Sequence, residues 1–126
     1  VITLWKCSRE VKIMESQVQL NNDRLELLDR LKQTAPDLWD AESRVLDIAY
    51  QDGALSSKIK RLIALGIALR AGCTNCILAQ TRQALDAGAS KEEILEVIVV
   101  EVAMSGTTGI AESLRVIRLL DELGKL

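Results

Sequence analysis

Histidine and phenylalanine are both absent from this chain of 126 residues, and aromatic side chains are limited to two Trp and one Tyr. Without histidine there is no Ser–His or Cys–His relay and no H-E-x-x-H zinc motif, and no G-x-S-x-G elbow takes their place. Without phenylalanine the core must be built from Leu, Ile, Val and Ala, which an apolar content of 48% permits. An excess of either charge is missing as well. Lys and Arg number 16 against 18 Asp and Glu, a formal net charge of −2, so no basic field gathers nucleic acid or anionic lipid and neither partner is expected. No apolar run reaches the roughly 18 residues of a membrane span. The opening Val1-Ile2-Thr3-Leu4-Trp5-Lys6-Cys7 also lacks the charged-then-apolar order of a secretory signal. One compact cytoplasmic domain is the expectation.

Helical periodicity dominates and strand alternation is missing, so the chain reads as all-α, a bundle of about six helices. Residues 1–16 form an N-terminal extension, partly helical at most, and residues 17–126 the domain. Val18, Leu20, Leu25, Leu28 and Leu31 keep helical spacing up to Thr34. Pro36 suits the first turn of a second helix, where no amide donor is needed, running to about Gln51 with Leu38, Val45, Leu46 and Ala49 inward. Ser56 and Ser57 are candidate caps for a third helix, Lys58 to Ala71, stopped by Gly72. A fourth starts at Cys73 and ends near Ala87-Gly88. Ser90-Lys91-Glu92-Glu93 fits a capping box and launches a fifth to about Met104. Ser105-Gly106-Thr107-Thr108-Gly109 breaks the pattern before a last helix from about Ile110 to Leu123. Glu92, Glu93, Glu96, Asp121 and Glu122 read as solvated surface.

The third and fifth helices are apolar around most of their circumference. Between Ile59 and Ala71 only Lys60, Arg61 and Arg70 are charged, and from Ile94 to Met104 only Glu96 and Glu101 interrupt. A small bundle rarely covers two such members on all sides, so partner subunits are the expected cover and the chain a homo-oligomer.

Three cysteines, an odd number, argue against a stapled secreted fold. Cys7 has no partner at useful spacing and reads as a bystander. Cys73 and Cys76 form a C-x-x-C where one apolar helix stops and another starts. Residues i and i+3 of a helix lie roughly 5 Å apart, within reach of a disulfide, so the pair can switch between dithiol and disulfide without moving the backbone. Free amides and the positive end of the helix dipole favour a thiolate there. Inert packing of two small residues and a metal site shared between subunits are the competing readings. One chain without histidine supplies too few ligands for zinc, so neither metal nor cofactor is expected.

The run from Lys58 to Gln80 around Ala71-Gly72-Cys73-Thr74-Asn75-Cys76, the later Ala87-Gly88-Ala89-Ser90-Lys91-Glu92-Glu93-Ile94 and the Gly106 to Gly109 turn resemble the carboxymuconolactone decarboxylase family, in particular its alkylhydroperoxidase D-like branch. The resemblance spans about residues 36–124. It implies an all-helical fold in trimers or hexamers, and a cysteine pair that reduces a peroxide or disulfide substrate. It implies Cys76 as the attacking thiol and Cys73 as the resolving one, with a lipoyl-bearing or thioredoxin-like protein restoring the dithiol. That branch places a His four residues after the second Cys and a Glu twelve before the first. Here those positions hold Gln80 and Arg61. A proton relay is thereby replaced by a neutral donor and a fixed positive charge, which implies weak peroxidase activity or a non-catalytic, redox-responsive oligomer. Lactone decarboxylation, which needs acid–base residues, is not implied.

Overall fold

The computed structural model describes residues 15–126. Cys7 and nearly all of the extension expected at residues 1–16 lie outside the described residues. Six helices follow one another, with no strand among the described residues: α1 Gln17–Thr34, α2 Pro36–Tyr50, α3 Ser57–Ala71, α4 Thr74–Asp86, α5 Lys91–Ser105 and α6 Thr107–Glu122. α3 packs on α4 and α5, α6 closes against α4 and α5, and α1 lies across α4 and α6. α2 is peripheral, touching α1 and α3.

The core follows from helical spacing. Leu62, Leu65 and Leu69 of α3 meet Ile77 and Ala84 of α4, Ile94 of α5, and Val116 and Leu120 of α6. On α6 the positions Gly109, Ser113, Val116 and Leu120 step by four, three and four residues, a stripe that keeps facing inward.

Two expectations about the helices are corrected. α2 buries none of its residues: Leu38 and Val45 are exposed, and Leu46 is only half-buried. The periodicity of α2 is real, but in a single chain only neighbouring helix edges lie beneath it. The last helix begins at Thr107 and not near Ile110. Gly106, at φ 62° and ψ −136°, takes a conformation open in practice only to glycine, so one residue reverses the chain where a five-residue break was expected.

Glu122 is not the solvated surface acid its sequence position suggested. Its carboxylate accepts hydrogen bonds from Ser16 Oγ (2.7 Å) and from the amides of Gln17 (2.9 Å) and Val18 (3.2 Å), and pairs with Arg118 Nε at 2.9 Å. The last turn of α6 thereby caps the start of α1. Burial opposes ionisation of this carboxyl, but the Ser16 hydroxyl, the two amides and the Arg118 charge outweigh it and hold its pKa below the ordinary value. A depressed pKa contributes stability above the ordinary carboxylate range and loses it as pH falls through that range to the folded-state value. Glu122→Gln is therefore expected to cost about 1 kcal/mol at neutral pH. Urea midpoints of the two proteins should converge between about pH 7 and pH 3; a constant gap in acid would contradict the assignment.

Candidate functional site

The turn between α3 and α4 is built from two residues. Gly72, at φ 66°, adopts the left-handed conformation that ends α3. Its N–H donates to the carbonyl of Leu69 (3.1 Å) and that of Cys73 to the carbonyl of Ala68 (3.2 Å), a Schellman closure. Cys73 is also the N-cap of α4, its Sγ accepting the N–H of Cys76 at 3.2 Å. Ser16, Ser56 and Ser90 play that part, through oxygen, at the starts of α1, α3 and α5. In α4 alone of these four a sulfur takes the capping amide.

Cys73 and Cys76 are disulfide-bonded, with Cα atoms 5.2 Å apart. Cys76 is exposed and Cys73 half-buried. Ile77 and Leu78, directly after Cys76, are fully buried and anchor the first turn of α4 in the core. Across the turn, the Glu112 carboxylate of α6 lies beside Gly72 and 3.9 Å from Arg115 Nε.

Arg61 and Gln80, 19 positions apart, are brought together by the packing of α3 on α4. Arg61 Nη1 donates to Gln80 Oε1 at 3.3 Å. Gln80 Nε2 donates in turn to the hydroxyl of Tyr50 at 3.3 Å. The Arg61 guanidinium also lies over the Tyr50 ring, 3.4 Å from its centroid, a cation–π contact. Burial lowers the Arg61 pKa from its ordinary value, while the charge and hydrogen bond of Tyr50 act in the opposite sense. Among the described hydrogen bonds, neither Arg61 nor Gln80 donates to a sulfur; each is engaged by the other. The amide of Cys76 fills that place.

Tyr50 and Glu112 are absent from the sequence-based candidates. Nothing near Tyr50 in the chain marks it, since it is the last residue of a peripheral helix. Glu112 follows the Gly109 turn on a surface-like stretch and meets the cysteine turn only through the docking of α6. Among the described residues no cluster of three or more His, Cys, Asp or Glu is placed to hold a metal ion.

A model of the carboxymuconolactone decarboxylase family matches residues 36–119. An uncharacterised protein of Cupriavidus necator is 34% identical over 93 residues, covering 74% of this chain and 82% of that protein. The uncharacterised protein 4 of the cox locus of Paracoccus denitrificans is 32% identical over 84 residues, covering 67% and 76%. Among solved structures, an apo carboxymuconolactone decarboxylase family protein from Legionella pneumophila superposes with a TM-score of 0.82 at 26% identity, covering 89% of this chain and all of that one. A Thermotoga maritima family protein with a suggested part in antioxidative response has the same fold, at a TM-score of 0.63 and 23% identity over 89% of this chain and 97% of its own.

Proposed function

The chain belongs to the carboxymuconolactone decarboxylase family, and from that premise we propose that it is a thiol–disulfide redox protein that reduces hydroperoxides through Cys73 and Cys76. The observation that carries this reading is the bonded pair at the N-terminus of α4, with the Cys76 amide on Cys73 Sγ and Cys76 itself an exposed residue. The positive end of the α4 dipole favours a thiolate at Cys76 in the first turn, and the amide of Cys76 favours one at Cys73; a thiolate is the nucleophile each step needs.

Exposure favours Cys76 as the attacking thiol and half-burial favours Cys73 as the resolving one. Cys76 Sγ attacks a peroxide oxygen; an S–O bond forms as the O–O bond breaks, the sulfur being oxidised and the peroxide reduced. The departing alkoxide takes up a proton and leaves as alcohol. Cys73 then attacks the sulfur of the sulfenic acid, water is lost, and the disulfide of the present structure results. An external dithiol, on a lipoyl-bearing or thioredoxin-like protein, returns it to the reduced state in a reducing compartment such as the cytoplasm. The test is hydroperoxide consumption with a dithiol reductant: wild type is expected to turn over and Cys76→Ser to remain at the uncatalysed rate. Equal rates would favour the alternative, a redox-responsive oligomer without catalysis.

The proposed assembly is a trimer or hexamer of this chain. Ile59, Ile63 and Ile67 of α3 and Val100 and Met104 of α5 are all exposed in the single chain and line one open groove of about 840 Å³. They lie at four-residue steps, one stripe on each helix, and a continuous apolar surface of this kind calls for cover. Among the described residues no helix is long and apolar enough to cross a membrane. A second copy offering the same stripes is the cover proposed.

A further inference from the structure

We propose that the phenol of Tyr50 is the acid that protonates the departing oxygen, held in place by Gln80 and Arg61. The inference rests on the peroxidase reading above and adds a catalytic residue to it. Breaking the O–O bond of an alkyl hydroperoxide expels an alkoxide, a strong base, and an acid positioned to protonate it in the transition state lowers the barrier. With no histidine in the chain, an imidazole is not that acid. Gln80 stands one helical turn beyond Cys76 on the same face of α4, where side chains are neighbours. The Tyr50 hydroxyl lies 3.3 Å from Gln80 Nε2, and both residues are half-buried.

Hydrogen-bond direction decides what this hydroxyl is free to do. Arg61 carries donors only, so the amide oxygen of Gln80 must face Arg61 and its NH₂ must face Tyr50. The phenolic oxygen is therefore the acceptor in this contact. Its own O–H is left uncommitted among the described hydrogen bonds. Had Gln80 been turned over, its oxygen would have claimed the phenolic proton. Arg61 thus orients Gln80, and its guanidinium, stacked 3.4 Å from the ring centroid, places a positive charge against the phenolate that proton transfer leaves behind.

The atoms balance. Cys76, ionised by loss of a proton to solvent, takes the terminal OH of the hydroperoxide. The alkoxide takes the phenolic proton, giving alcohol and the Tyr50 phenolate. As Cys73 displaces hydroxide from the sulfenic acid, its thiol proton returns through water to the phenolate. The hydroxide takes a proton from solvent, equal to the one first released. The sum is dithiol plus hydroperoxide giving disulfide, alcohol and water.

Tyr50→Phe keeps the ring and its stacking on Arg61 and removes only the hydroxyl. Against tert-butyl hydroperoxide, whose leaving group is a strongly basic alkoxide, kcat/KM of the variant is expected to fall about 10²-fold. Against peracetic acid, whose leaving carboxylate needs no proton, it should stay within about threefold of wild type. Alkylation of the reduced protein by iodoacetamide should keep its wild-type rate, because thiolate formation does not involve the leaving group. Equal losses on both peroxides, slowed alkylation, or unchanged rates on both would overturn the assignment of Tyr50 while leaving an active wild type as a peroxidase. A wild type that consumes neither peroxide overturns both readings.

Discussion

Changing Cys73 to Ser is expected to stop turnover after a single equivalent of hydroperoxide, with the oxygen retained on Cys76. The exposed sulfur keeps its place in the first turn of α4 and still attacks the peroxide. What disappears is the neighbour, 5.2 Å away by Cα, that would displace hydroxide from the sulfenic acid. A serine hydroxyl still caps the helix, as serine does at the starts of α1, α3 and α5, so the fold is preserved. Steady-state consumption with a protein dithiol as reductant should drop by about 10²-fold or more, because that reductant reads a disulfide and finds none. Intact-mass measurement should show one added oxygen per chain, and a sulfenic-acid-specific dione should capture it. Undiminished turnover in Cys73→Ser would mean that Cys73 is not the resolving thiol. A trapped oxygen on Cys73 in the Cys76→Ser protein would exchange the two roles.

The second large effect concerns assembly. Ile67 is 64% exposed in the single chain and belongs to the α3 stripe that lines the groove shared with α5. If a second copy covers the groove, Ile67→Glu buries an unpaired carboxylate in each contact, at a cost of several kcal/mol per contact. Light scattering is expected to show wild type as a trimer or hexamer at tens of micromolar, and the variant as monomer. The substituted side chain meets water in the isolated chain, so secondary structure by circular dichroism should survive. A monomeric wild type would remove the assembly proposal, and an undissociated variant would move the interface elsewhere.

Much of the fold is legible in local chemistry. Pro36 opens α2 because the first turn needs no amide donor, and Ser56 and Ser90 cap α3 and α5 and Gly72 ends α3 because a terminal amide or carbonyl finds its partner within a few residues. The cysteine pair is legible for the same reason, since i, i+3 spacing in one turn sets its separation without help from the rest of the molecule. The inward face of α2 is not legible in the sequence, because periodicity states which residues share a face and not whether anything lies opposite. The shortness of the turn at Gly106 is not legible either, because one glycine in an unusual conformation does the work of a longer loop.

The sequence by itself determined an all-helical chain with a disulfide-competent pair at a helix start, since capping, periodicity and short spacing act within a turn or two of the backbone. The tertiary structure alone decided which distant side chains gather along α4 and at the turn before it. Tyr50, Arg61 and Gln80 come from α2, α3 and α4, and Glu112 from α6. Their meeting depends on how four helices pack, where side chains distant in the chain find hydrogen-bond and charge partners. Glu122 makes the same point at the other end of the bundle, closing on residues 16–18 across more than 100 positions of chain.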